Sequence, residues 1–134
     1  IEAILSRHLD VSIASVYGVP DPDSGDQVMV ALVLREGAMF DGSSFAEWLE
    51  RQPDLSPKWR PRFVRLCSKL PTTPTNKVLS RTLAHEKFRS DLVAGDEIYV
   101  RERDEVSYHL FTSKDEQSLF RSFESSGRAT SWDL

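Results

Sequence analysis

Val28 to Leu34 is an unbroken apolar run of seven residues, the longest in the chain. Its apolar side chains occupy odd and even positions alike. Both faces of an extended chain would therefore be apolar, and Gln27 to Leu34 is predicted to be an interior strand. The roughly 18 consecutive apolar residues of a membrane-spanning helix occur nowhere in the sequence. An interior strand needs partners. Val11 to Tyr17, rich in β-branched residues, is the nearest, and Gly18 to Gly25, with Pro20, Asp21, Pro22 and Asp23, supplies the turn. The two stretches are predicted to form an N-terminal β-hairpin. At 134 residues the chain has the length of one domain able to bury a core without disulfides or metals.

The remaining pattern mixes helix and strand. Residues 1–9 read as the end of a short helix with Ile1, Ile4 and Leu5 on one face. Phe45, Trp48 and Leu49 mark a second helix, capped by Ser43 or by Ser44 in a capping box with Glu47, and ended by Pro53. Arg62 to Cys67 reads as a short strand. A third helix is expected from about Leu79 to Arg89, with Leu79 and Leu83 inward. Glu97–Arg101 and Val106–Phe111 alternate as an antiparallel pair around Glu102–Glu105. Ser113 with Glu116 would open a fourth helix with Leu119, Phe120 and Phe123 on its apolar face, and a frayed tail would follow from about Ser125. The expected class is α+β: a small mixed or antiparallel sheet with an N-terminal hairpin, flanked by three to four helices.

The net charge of −4 hides an uneven distribution. Residues 57–89 hold nine basic residues (Lys58, Arg60, Arg62, Arg65, Lys69, Lys77, Arg81, Lys87, Arg89) and one acid, Glu86, so this segment carries +8 and the remainder −12. Such an excess either attracts a polyanion (a nucleotide, coenzyme A or a nucleic acid) or is neutralised on folding by acids from elsewhere. A basic nucleic-acid-binding module is therefore one alternative, although no recognition helix or RNA-binding sheet signature accompanies the charge.

Several chemistries find no support. The six glycines are dispersed and form neither common phosphate-binding loop. His8, His85 and His109 lack metal-ligand spacing, and no serine sits in a nucleophile elbow. The single cysteine, Cys67, allows no internal disulfide and is expected to be packed rather than reactive; a reducing, cytoplasmic setting is the default. The chain has no initiator Met and opens mid-pattern at Ile1-Glu2-Ala3-Ile4, as a piece of a longer protein would. It shows no complete active site of its own.

The most informative stretch is Leu70-Pro71-Thr72-Thr73-Pro74-Thr75-Asn76-Lys77-Val78-Leu79-Ser80-Arg81-Thr82-Leu83. Two prolines and three threonines exclude a regular element between Leu70 and Lys77. They present one lysine just ahead of a helix, where the helix dipole disfavours a cation. A local conflict of that kind is often functional, and a lysine ammonium is a mobile point charge able to reach a phosphate.

This stretch resembles the final core motif of the adenylate-forming superfamily, which includes acyl-CoA synthetases, peptide-synthetase adenylation domains and luciferases. Leu70, Pro71, Thr73, Lys77, Val78, Arg81 and Leu83 match that motif in register. Val16-Tyr17-Gly18-Val19-Pro20-Asp21 resembles the superfamily's hairpin segment, Ile1 to Leu5 the helix after its interdomain hinge, and Leu55 to Arg65 the approach to the strand before the catalytic loop. Asn76 replaces the usual Gly, a form similar to that of the very-long-chain and fatty-acid-transport-protein-like acyl-CoA synthetases, including bacterial fatty-acid–CoA ligases. Leu9 replaces a frequent Pro.

The resemblance implies a C-terminal lid domain spanning residues 1–134, with a core at 1–90 and an extension at 91–134. A large N-terminal domain and the hinge would lie outside the chain. It implies an ATP-dependent fatty-acid–CoA ligase that uses ATP, coenzyme A and Mg²⁺ in its full-length form, with none held tightly by this piece and no nucleic acid or transmembrane segment involved. A lid for another acid, such as an aryl or steroid acid, or for an enzyme that stops at the acyl-adenylate, is the alternative within the superfamily. The full-length enzyme would be cytoplasmic and able to associate with a membrane. By the same resemblance Lys77 is the catalytic lysine of adenylation. Lys58 and Arg60, beside Trp59, are candidates for the phosphates of coenzyme A; Arg81 is a candidate for an ATP or coenzyme A phosphate or for a structural ion pair. Gly18 and Asp21 are expected to shape their own turn.

Overall fold

The computed structural model describes residues 2–22, 25–70, 80–89, 92–93, 95–102 and 105–133. Strand β1 (Val11–Val19) pairs antiparallel with β2 (Gln27–Leu34), Tyr17 opposite Met29 and Gly18 opposite Val28, with one irregularity between Val11 and Ile13. The predicted hairpin is present, and its first strand runs two residues further than the sequence suggested. β2 pairs in parallel with β3 (Phe63–Leu66), placing Arg65 opposite Ala31. A parallel neighbour demands a crossover. Helix α2 (Gly42–Glu50) and a 3₁₀ turn (Pro57–Trp59) lie in the connection that supplies it. β4 (Glu97–Val100) lies antiparallel to β3, and β5 (His109–Leu110) forms the far edge. The order β1-β2-β3-β4-β5 makes a five-stranded mixed sheet in an α+β fold, as expected.

Strand alternation divides the core into two layers. Met29, Ala31, Phe63, Ile98 and Val100 point to one face, where they meet Leu83 of α3 (Ser80–Glu86), Phe123 of α4 (Ser113–Ser125) and Trp132 of α5 (Ala129–Asp133). Val30, Leu32 and Val64 point to the other, against Leu5 of α1 (Glu2–Leu5) and Phe45, Ala46 and Leu49 of α2. This two-sided cover is why the Val28–Leu34 run has no polar face.

Three local expectations are corrected. Helix α2 is capped by Asp41, not by Ser43 or Ser44: its Oδ1 accepts from the Ser43 and Ser44 amides at 2.9 and 3.1 Å. A carboxylate at this place also meets the positive end of the helix dipole, which a hydroxyl exploits less. The capping box of α4 sits one residue earlier than predicted. The Asp115 amide donates to Thr112 Oγ1 at 3.3 Å and the Thr112 amide donates to Asp115 Oδ2 at 2.8 Å. The chain beyond Ser125 is not a frayed tail. It turns at Gly127 (φ 76°) and forms α5, a fifth helix, which returns Trp132 to the core at 8% exposure. The aromatic neighbours of Trp132, Phe88, Phe120 and Phe123, lie at centroid distances of 5.3, 5.2 and 5.7 Å.

Candidate functional site

The chain leaves β3 through Cys67 and Leu70, both buried, and Ser80 is the first residue of the next helix, α3. Lys77 belongs to residues 71–79, which lie outside the described part, as do Pro71, Thr73, Asn76 and Val78. The ends of this segment can still be placed. Leu70 and Leu83 belong to the same apolar cluster, so strand exit and following helix are seated on one core. Cys67 is closed in beneath them. Burial is the main reason its thiol is pushed up to about 12, so at neutral pH it stays protonated and unreactive.

Helix α3 is tied to the sheet by charge as well as by Leu83. Arg65, on β3, is 6% exposed and faces α3. Its Nη1 donates to Glu86 Oε1 at 2.8 Å, while Nε and Nη2 both reach Asp96 Oδ2, at 3.0 and 2.9 Å. Burial acts most strongly on this guanidinium and would lower its pKa; the hydrogen bonds to Glu86 and Asp96 help outweigh it, and the pKa rises. The Tyr17 hydroxyl lies in the same layer, buried and without a hydrogen-bond partner among the described residues, and burial pushes its pKa up.

Lys58 and Arg60 stand at the other end of β3, before its first residue. Lys58 is in the 3₁₀ turn, and its side chain is outside the described part. Arg60 caps that turn, its amide donating to the Pro57 carbonyl at 3.3 Å; its Nε is buried with no hydrogen-bond partner among the described residues. Trp59 between them is 50% exposed. The turn is pinned from below: the Tyr108 hydroxyl donates to the Pro61 carbonyl, and the Arg101 guanidinium lies 5.8 Å from the centre of the Tyr108 ring. The chain passes so close here that a Cβ at Gly42 would overlap the Tyr108 carbonyl oxygen. Arg81 is exposed on the first turn of α3. The predicted cationic residues thus fall into two places, Lys58 and Arg60 at the entry to β3 and Arg81 on the helix beyond its exit.

Part of the basic excess is neutralised internally. Arg62 bridges Asp21 and Glu102, each at 2.8 Å. Asp21, predicted to order only its own turn, is the buried partner of that arginine, and its carbonyl also accepts from Arg128 Nη1 at 3.0 Å. Arg62 and Arg65 were read from the sequence only as part of a charge count. The surplus of acids elsewhere in the chain was the signal that they would be paired, but their partners lie 21 to 41 positions away and spacing could not name them. Among the described residues no group of three or more His, Cys, Asp and Glu side chains could hold a metal ion. None of the described helices is long and apolar enough to cross a membrane.

The fold is a hairpin-led mixed sheet covered on both faces, and in the sequence Lys77 falls between its third strand and the next helix. Comparison with known proteins gives its family. Residues 1–77 match the AMP-binding enzyme C-terminal domain, and the chain belongs to that family. It is 41% identical over 129 residues to the steroid-22-oyl-CoA synthetase of Rhodococcus jostii, covering 96% of this chain and 22% of that protein. It is 52% identical over 84 residues to the medium/long-chain-fatty-acid–CoA ligase FadD17 of Mycobacterium marinum, covering 63% of this chain and 17% of that protein. Among solved structures, ATP-bound MatB from Rhodopseudomonas palustris superimposes with a TM-score of 0.57 at 26% identity, over 62% of this chain and 16% of that one. The amide bond synthetase McbA from Marinactinospora thermotolerans does so with a TM-score of 0.56 at 35% identity, over 62% of this chain and 16% of that one. The chain therefore spans about a fifth of the length of the relatives it matches.

Proposed function

We propose that this chain is the C-terminal lid domain of an ATP-dependent fatty-acid–CoA ligase, a core of residues 1–90 with an extension at 91–134. Lys77 serves the first of two steps. The observation that carries the reading is identity to a CoA synthetase along nearly the whole chain, 41% over 129 residues. In the first step a carboxylate oxygen attacks the α-phosphorus of ATP, giving acyl-adenylate and pyrophosphate. In the second the thiol sulfur of coenzyme A attacks the acyl carbon, the bond from that carbon to the AMP oxygen breaks, and the thiol proton is released. Bringing a carboxylate to a triphosphate sets anion against anion, so a positioned ammonium at Lys77 lowers the barrier without any proton transfer.

Arg60 and Lys58 are suited to the phosphates of coenzyme A. Arg60 Nε is an unsatisfied donor among the described residues, and the half-exposed Trp59 beside it offers a flat face for a base. Arg81, on the first turn of α3, is suited to a phosphate nearer Lys77. Mg²⁺ would accompany the ATP phosphates in the larger domain, and no residue of this chain is assigned to it.

A second reading has a specific observation behind it: the relative that covers 96% of the chain is named for a steroid acid. Supplying the parent enzyme with fatty acids and steroid-side-chain acids in parallel separates the two, because the lid chemistry is common to both. The role of the chain itself is tested by removing residues 1–134 from the parent enzyme. Acid-dependent exchange of pyrophosphate into ATP is expected to collapse, and this chain alone is expected to turn over nothing. Exchange at the intact rate without these residues would refute the reading.

A further inference from the structure

We propose that Arg65 is a positioning residue for adenylation, latching with Glu86 and Asp96 the helix that continues directly from the segment bearing Lys77. This inference rests on the reading of Lys77 given above. Three elements meet at one guanidinium. Arg65 comes from β3, which leads into the segment; Glu86 is the last residue of α3, which follows the segment; Asp96 directly precedes β4. Glu86 and Asp96 lie beyond residues 1–77, so the latch joins the family's common strand to chain outside the matched part.

Packing alone does not call for this group. A buried ionic cluster is often no more stabilising than apolar residues of the same volume, because the charges must be stripped of water. What it adds is direction. A guanidinium whose three nitrogens are all committed at 2.8–3.0 Å admits one orientation of its partners. Leu83 could slide against its apolar neighbours; Glu86 cannot slide past Arg65 without leaving Nη1 of that buried guanidinium without its carboxylate. Seven residues of helix form a rod roughly 10 Å long, so a change of tilt at the Glu86 end moves the Ser80 end, three residues from Lys77.

Arg65→Lys keeps a positive charge but cannot hold both carboxylates. In the parent enzyme Arg65→Lys and Arg65→Met are expected to lower the turnover of acid-dependent pyrophosphate exchange by roughly ten- to a hundredfold, the scale on which misplacement of a catalytic group by about 1 Å is felt. Thioester formation from preformed acyl-adenylate should stay near the wild-type rate. Leu49→Ala, on the opposite face of the sheet, is the control: it lowers the melting temperature without changing the ratio of the two steps. Should Arg65→Met fail to fold, Glu86→Gln keeps the shape, removes one charge and carries the same prediction with a smaller effect.

Arg65 variants that slow both steps together, leaving their ratio unchanged as expected for Leu49→Ala, would reduce the cluster to a structural role and overturn the proposal. So would unchanged exchange in the Arg65 variants when Lys77→Ala abolishes it, and in that case the reading of Lys77 stands. If Lys77→Ala itself leaves exchange intact, that reading fails and this inference falls with it.

Discussion

Lys77→Ala in the parent enzyme is expected to slow acyl-adenylate formation by roughly a hundred- to a thousandfold, the ~2.7–4 kcal/mol that one preorganised contact to developing charge is worth. The loss should fall on the turnover of the first step, because the contact strengthens as the pentacoordinate phosphorus forms. A smaller effect on the apparent affinity for ATP is expected. Thioester formation from preformed acyl-adenylate should survive. It involves a neutral acyl carbon and a departing AMP, and no second anion has to be brought to the phosphate. Lys77→Arg should recover little. A planar guanidinium is charged but does not present the compact ammonium that fits between a carboxylate and a phosphate. Equal losses in both steps would mean that the lysine holds the lid together rather than stabilising one transition state.

Phe88→Ala is expected to destabilise the isolated chain by about 3–5 kcal/mol, read as a fall in the urea midpoint with little change in slope. Phe88 is 1% exposed and sits where the two halves of the chain meet. Its ring lies 4.9 Å from that of Phe63 on β3 and 6.2, 6.4 and 5.3 Å from those of Phe111, Phe123 and Trp132. Truncation opens a cavity that no single neighbour can fill, since each of those rings is held by another element. Met39→Ala, at a site 87% exposed, should change stability by no more than about 0.5 kcal/mol. A loss below about 1 kcal/mol at Phe88 would mean that α5 and the end of α4 are not seated as described.

The sheet was legible because its strands carry their own signal. Val28 to Leu34 has no polar face, and the structure covers it on both sides. The parallel β2–β3 pairing was not legible, since nothing in four residues of Phe-Val-Arg-Leu specifies the direction of a partner. Both caps were missed by one to three residues for the same reason. Adjacent Asp, Ser and Thr side chains compete for the same amides, and the carboxylate of Asp41 and the Thr112–Asp115 pair win by geometry that spacing alone does not encode. Trp132 was lost in a stretch of small and polar residues; a helix of five residues carries too little periodicity to be read.

The candidate site divides the same way. Lys77 stood out because prolines, threonines and the residues after it form a motif of fixed spacing. The latch at Arg65 did not stand out, because its partners lie 21 and 31 positions along the chain, one at the end of α3 and one just before β4, and only the fold brings them to β3. Charge arithmetic over residues 57–89 found an excess but could not apportion it between internal pairs, such as those of Arg62 and Arg65, and cations left for a ligand.

The most direct test of a lid serving an adenylate-forming ligase is product stoichiometry in the parent enzyme. ATP, a fatty acid and coenzyme A are supplied together, and AMP, ADP, pyrophosphate and thioester are quantified in one time course. The prediction is one AMP, one pyrophosphate and one thioester for each ATP consumed, with acyl-adenylate accumulating when coenzyme A is withheld. Formation of ADP and phosphate, or no acid-dependent consumption of ATP with any fatty or steroid acid, would contradict it.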